Sequence, residues 1–305
     1  MIRVRWVLVG ACLALSACTG ANSASLADGT SPATSSVATT TGTAATATTS
    51  TTVASPTTTV ASPTTTSPTT TSPTITTATT TTASAAFTAD DFLGEETIGY
   101  SVQGRPIVAS HRGTAGGTVI LVVGVIHGDE NDGLPILEHL RALPLPPDID
   151  LWLMDAMNPD GLANDVRGNA NEVDLNRNFP HDWTAIGQAG EWEYSGAGPA
   201  SEPETQAFID FADRIDPALT LWYHQDLLRV SPSNRRDGPR RQRYAELTGR
   251  PYESVSGGTY TGVAATWVRQ TVPSAMSFII ELGPTLSASE AKTHAAAVLD
   301  ISTMV

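Results

Sequence analysis

Residue types able to do chemistry are concentrated first in His127-Gly128-Asp129-Glu130. An imidazole nitrogen and a carboxylate oxygen three positions apart on a turn reach one cation from the same side, and Zn2+ accepts such a mixed nitrogen and oxygen set. Two ligands do not make a centre. Of the six histidines, His224 is best placed to supply a third, because the run Leu219-Thr220-Leu221-Trp222-Tyr223 delivers it at a strand end. His111, His139, His181 and His294 lack such a position and read as surface or internally satisfied histidines. Taken alone, His-x-x-Glu describes an ordinary turn equally well, so its meaning depends on the elements around it.

Those elements are legible from hydrophobic patterning. Val119 to Ile126 is a continuous apolar run rich in β-branched residues, as in a strand buried on both faces. Leu134 to Leu143 follows with helical spacing, then Leu151 to Met154 as a strand, Glu202 to Ile215 as a helix and Ala218 to Tyr223 as a strand. Ser277 to Ile280 reads as a short strand and Ser289 to Asp300 as a closing helix. Strands alternating with helices predict an α/β domain, a mixed and mostly parallel central sheet with helices on both faces. In such sheets the site lies at the carboxyl ends of the strands. His127, Asn158, His224 and Glu281 each follow an apolar run, so four polar side chains are expected on one edge.

A second block supplies the context that His-x-x-Glu lacks. Asn158-Pro159-Asp160-Gly161 is followed by Arg167 and by Val173-Asp174-Leu175-Asn176-Arg177-Asn178-Phe179-Pro180. Together with Ser201-Glu202-Pro203-Glu204-Thr205 and Phe278-Ile279-Ile280-Glu281-Leu282-Gly283, these residues resemble the metallocarboxypeptidases of the carboxypeptidase A type. The resemblance covers nearly all of 95–283 and implies a carboxypeptidase-like α/β/α sandwich. It implies a single Zn2+ held by His127, Glu130 and His224, with an open coordination position where a water is acidified and the scissile carbonyl polarised. It makes Glu281 the general base and Arg167 the group that steadies the oxyanion. Asn176 and Arg177 become the pair that holds a substrate carboxylate, and Asp174 an acid that orients a histidine ligand. The compact domain and His-Gly-Asp-Glu fit the bacterial murein peptide amidase branch, which cuts the D-glutamyl–diaminopimelate bond of peptidoglycan stem peptides. Pancreatic-type members place a mobile tyrosine just before a Ser-Gly-Gly. Here Ser256-Gly257-Gly258 is out of that register, leaving Tyr252 and Tyr260 as alternatives.

The remainder of the chain reads as delivery apparatus. Arg3 and Arg5, an apolar run from Trp6 to Leu15, and Leu15-Ser16-Ala17-Cys18 predict an export signal over residues 1–18. The same tetrapeptide resembles a lipobox, which implies lipidation at Cys18 and an envelope protein anchored to the outer face of the membrane. Residues 19–86 are almost wholly Thr, Ser, Ala and Pro, a composition that cannot bury a core and reads as a stalk. A zinc peptidase domain is expected over residues 87–305. It contains no cysteine, so it is held by its core and not by disulfides. The net charge of -14 excludes a nucleic-acid partner and a basic membrane-binding surface. Against this acidity stands Arg229 to Arg250, with Arg235, Arg236, Arg240, Arg241 and Arg243 between, which is either a rim that attracts substrate carboxylates or a solvated helix face. A muropeptide hydrolase leads the functional readings. A carboxypeptidase trimming ordinary surface peptides, an acylase acting on N-acyl amino acids and a catalytically silent wall-binding module are the alternatives.

Overall fold

The computed structural model describes residues 91–305 apart from Thr259 and Pro273. The expected signal, Cys18, the stalk and the first residues of the domain lie outside these. Six strands form one sheet: β1 (Phe92–Tyr100), β2 (Pro106–Gly113), β3 (Thr118–Val125), β4 (Ile149–Ala156), β5 (Leu219–Gln225) and β6 (Met276–Leu282). Their spatial order is β1-β2-β4-β3-β5-β6. The pairs among β4, β3, β5 and β6 are parallel, and β1 and β2 close one side with antiparallel pairings. The predicted mixed, mostly parallel α/β class is the observed one.

Parity along the strands explains why helices cover both faces. Ile120, Val122, Leu151, Leu153, Leu219, Leu221, Phe278 and Ile280 face α1 (Gly133–Ala142), α4 (Gly238–Thr248) and α6 (Ala288–Ser302) in one buried cluster. The intervening Leu121, Val123, Trp152, Met154 and Trp222 face α3 (Pro203–Ile215) and α5 (Ala264–Thr271) in another. Both faces of the parallel strands are therefore apolar, which is why they read as unbroken runs and not as alternation. A short helix α2 (Pro159–Asn164) follows β4. Among the described residues, no helix is long and apolar enough to cross a membrane.

His294 on α6 is the internally satisfied histidine of the first core. Its Nδ1 lies 2.7 Å from Tyr244 Oη, which is 2.9 Å from Tyr223 Oη, while Arg250 donates to its Nε2. Since Arg250 can only donate, Nε2 is the acceptor and His294 is neutral. Burial, with the Arg250 charge beside it, pushes its pKa down to about 4. The unfolded chain therefore binds a proton that the folded one refuses between about pH 6.5 and 4. The resulting stability is complete above 6.5 and is lost as the pH falls through this window, on the order of 3 kcal/mol. His294→Gln is expected to flatten the fall in the urea midpoint between pH 6.5 and 4, and an unchanged slope would refute the assignment.

Candidate active site

Register puts two of the expected residues side by side. His224 and Glu281 are paired across β5 and β6, and each stands inside its strand, one residue from the end, where the sequence had placed it just beyond. Both fall on the parity of Trp222 and Ile279, so both side chains emerge on the α3 and α5 face. Glu281 is fixed further by two main-chain bonds with Arg229, each 3.0 Å. His127 and Glu130 come from the turn after β3, at the neighbouring strand end. Gly128 allows this approach: a Cβ there would lie 1.9 Å from the carbonyl carbon of Gly161. The His-Gly turn and the first turn of α2 are thus packed backbone against backbone. Asn158 serves that packing and not the cavity, since its Oδ1 accepts from Gly161 N at 2.9 Å and its Nδ2 donates to Arg167 O at 3.2 Å. Of the four side chains expected on this edge, Asn158 is the one that plays a structural part.

Donor atoms of His127, Glu130 and His224 lie within 4.8 Å of one another, and all three residues are buried. Glu130 is central, with Oε1 2.8 Å from His127 Nδ1 and Oε2 2.9 Å from His224 Nδ1. Gln225 N also donates to Oε2, at 3.1 Å. Burial favours protonated Glu130, yet the two imidazoles outweigh it and hold the carboxyl far below the usual range. His127 is raised: burial opposes its charge, but Asp174 and Glu130 more than compensate. A buried place that favours positive charge and offers two nitrogens and a carboxylate suits Zn2+. The three residues form a possible metal site.

Asp174 makes two kinds of contact at once. Its Oδ1 lies 2.9 Å from His127 Nε2 and also accepts from Asn176 N at 2.9 Å, capping the 3-10 turn Leu175–Arg177. Arg167 donates to its Oδ2 from Nε at 3.1 Å and from Nη2 at 2.8 Å. Burial would raise the Asp174 pKa, but the charges of His127 and Arg167 hold it well below the ordinary value. Arg167 Nη1 reaches Glu130 Oε1 at 2.9 Å and His127 Nδ1 at 3.1 Å. Ionised Asp174 can only accept, so Nε2–H faces it, which leaves Nδ1 as the nitrogen turned toward Glu130 and the ligand cluster.

A cavity of 580 Å³ opens from these residues and is lined by Arg167, Asn176, Arg177 and Glu281 as well. Asn176 Oδ1 accepts from Ala264 N at 3.0 Å, which leaves its amide N–H groups for the cavity. Arg177 pairs with Glu193, and its buried Nε has no partner among the described residues. Glu281 Oε2 and His224 Nε2 are likewise buried and unpartnered. Such atoms cost stability and persist where function uses them. Burial, reinforced by the charge of Glu130, raises the Glu281 pKa. Of the two tyrosines, Tyr260 lines the cavity with Arg177 6.0 Å from its ring centre, whereas Tyr252 donates to Gly238 O and does not line it. Gly262, at φ +59°, carries the same segment against the Arg177 carbonyl, 2.2 Å from where a Cβ would stand.

Known proteins share the sequence pattern and the fold of this domain. Residues 81–286 match the zinc carboxypeptidase family, Peptidase M14, over more than half of the chain. The chain belongs to this family. Murein peptide amidase A of Escherichia coli K12 is 31% identical over 169 residues, 51% of this chain and 66% of that protein. The match thus falls just short of two thirds of the relative's length. The crystal structure of murein-tripeptide amidase from Escherichia coli O157 superimposes with a TM-score of 0.57 at 28% identity, covering 68% of this chain and 91% of the other. Carboxypeptidase A of Helicoverpa armigera shares the fold, with a TM-score of 0.60 at 18% identity over 69% of this chain and 67% of its own.

Several residues of this zinc carboxypeptidase domain were not visible as site residues in the sequence. Trp192, 68% exposed at the cavity mouth, has Arg167 4.7 Å from its ring centre, and its neighbour Glu193 holds Arg177. Both belong to an irregular segment with no periodicity. The arginine-rich segment is mainly a helix face and not a rim: Arg243 pairs with Asp300, and Arg250 with Glu290. Of that segment only Arg241 lines the cavity, and it is buried. Arg269, on α5, stands beside it and had no sequence signal at all.

Proposed function

We propose that the domain hydrolyses an amide bond whose leaving side carries a free carboxylate, in peptidoglycan stem peptides of the D-glutamyl–diaminopimelate type. The observation that carries this reading is the placement of the buried His127, Glu130 and His224 cluster in one cavity with Glu281 and with Asn176 and Arg177. Likeness to the murein peptide amidase of Escherichia coli in sequence and in structure supports the choice of substrate. His127, Glu130 and His224 would hold a single zinc ion, which supplies a Lewis acid and a water acidified toward neutral pH. Asn176 and Arg177 bind the substrate's carboxylate and so fix the scissile carbonyl relative to Glu281. Glu281 takes the proton from the attacking water and returns it to the departing amine; its raised pKa suits both duties. Arg167, with Nη1 toward the ligand cluster, offers positive charge where the oxyanion develops. Asp174 holds His127 and Arg167 in these orientations.

Export through residues 1–18, a lipid at Cys18 and a Thr- and Pro-rich tether over residues 19–86 form part of the same proposal, since they would carry the domain to the cell wall. The deciding experiment is digestion of purified muropeptides by the soluble domain, with products identified by mass, with and without chelator. Release of a diaminopimelate-containing fragment that stops on chelation is the expected result. Removal of single residues from ordinary linear peptides would instead identify a surface carboxypeptidase. Release of the acyl group from N-acyl amino acids would identify an acylase, and wall binding without cleavage a silent module.

A further inference from the structure

Four arginines line the cavity, and three of them already hold a carboxylate, Arg177 keeping for the substrate a buried Nε without a partner among the described residues. Arg167 is paired with Asp174 and Glu130, Arg177 with Glu193, and Arg241 with Asp237. Arg269 has none: its Nη1 donates to Ser277 O at 2.8 Å and its Nη2 to Thr266 Oγ1 at 2.9 Å. Among the described residues no carboxylate stands within ion-pair reach of it. The group nearest in charge is another cation, because Arg241 Nη2 donates to the same Ser277 carbonyl at 3.2 Å. Two guanidiniums therefore meet on one oxygen, with a single carboxylate between them. Burial, then the charge of Arg241, push the Arg269 pKa down to about 10, which leaves it ionised at neutral pH. A half-buried cation that shares the charge of one carboxylate, Asp237, with a second cation is unfavourable until another anion arrives.

Its location defines what that anion belongs to. Along β6, Glu281, Ile279 and Ser277 alternate onto one face, so the arginine pair is anchored four residues from the base, about 13 Å at the rise of a strand. Ala265, Thr266 and Ile279 line this part of the cavity and offer only small or apolar surface to the stem of a side chain. A long side chain with apolar methylenes and an anionic tip fits such walls. The short side chain of aspartate does not.

We propose that Arg269, supported by Arg241, selects the amino acid on the leaving side of the cut bond by receiving a second carboxylate at the far end of its side chain, while Asn176 and Arg177 take its α-carboxylate. This rests on the reading of the site as an amide hydrolase acting next to a free carboxylate. A pair of substrates separates the two ideas: D-glutamyl peptides ending in diaminopimelate or in lysine, which differ by the distal carboxylate alone. With the zinc-loaded protein, kcat/KM is expected to favour diaminopimelate by about 30-fold, the scale of one charge-assisted contact at a site that recognises it. Arg269→Gln should erase most of that preference by lowering the diaminopimelate rate, and Arg269→Lys, which keeps the charge, should retain part of it. The melting temperatures of both variants and their rates on the lysine peptide report an intact centre. Equal rates for the parent protein on the two peptides overturn the proposal and leave the hydrolase reading standing, and so does an Arg269→Gln variant that loses both rates in proportion. A parent protein that cleaves neither peptide refutes the hydrolase reading, and the proposal with it.

Discussion

Glu281→Gln is expected to lower kcat by about a thousandfold, within the range that a positioned proton-transfer group contributes, while the protein keeps its zinc. The two halves of that result have separate causes. Glutamine occupies the same space, and the main-chain bonds of residue 281 to Arg229 do not depend on its side chain, so β6 keeps its register. Only the ability to accept and return a proton is removed. The cluster of three candidate ligands does not include Glu281, so metal content measured on the purified variant should equal that of the parent. KM should move little, because Asn176 and Arg177 remain in place. A variant retaining more than a tenth of the parent kcat would remove Glu281 from the role of base, and loss of zinc would make it a structural residue of the centre.

Glu130→Gln is expected to abolish activity by a different route, through loss of the metal. Glu130 is the one carboxylate of the cluster and lies between the two imidazoles. Its removal takes away the anionic charge that, with Asp174, makes this buried place attractive to a cation. An amide leaves two neutral nitrogens and a weak oxygen donor, a poor set for Zn2+. Zinc measured after dialysis should fall below about a tenth of an ion per chain, a loss in line with the removal of one of three ligands. Excess zinc should restore only a small part of the activity. Full zinc content in this variant would show that the ion is held elsewhere. In the parent, activity lost to a chelator should return on addition of zinc, which separates loss of the ion from loss of the fold.

The residues at stake in these two experiments differ in how visible they are before folding. His127 and Glu130 announce themselves as a pair on a turn after an apolar run, and His224 is singled out by its strand. Glu281 has no local signal, because a glutamate near a strand end is common; its meaning comes from pairing with His224 across a register set by two β-strands. The far wall is harder still. Arg241 is one of a crowd of arginines on α4, and only the inward turn of its face distinguishes it. Arg269 sits in a short amphipathic helix, where an arginine ordinarily meets water. Trp192, Glu193 and Tyr260 belong to irregular segments whose path is decided by contacts distant in sequence, and no spacing rule describes them. Elements failed to show for related reasons. β1 and β2 form one side of the sheet and carry polar and glycine residues in place of a long apolar run, and α4, with its run of arginines, has too weak an apolar stripe to declare itself.

The pairing of His224 with Glu281 across β5 and β6 has a further consequence. In the proposed mechanism these two residues serve one reaction, yet the chain between them, residues 225–280, makes a long excursion that includes α4 and α5 before returning to the sheet. Arg241 and Arg269 are both encoded in that excursion. His224 and Glu281 are anchored in strands whose alternation tolerates no one-residue slip, whereas the wall proposed to choose the substrate is carried by α4 and α5, packed into the two buried clusters. On that reading chemistry and choice fall to separable side chains. Exchanging only Arg241 and Arg269 on this excursion, with Gln225, Arg229 and Ala264 kept for their bonds to Glu130, Glu281 and Asn176, should redirect the proposed hydrolysis to another side chain.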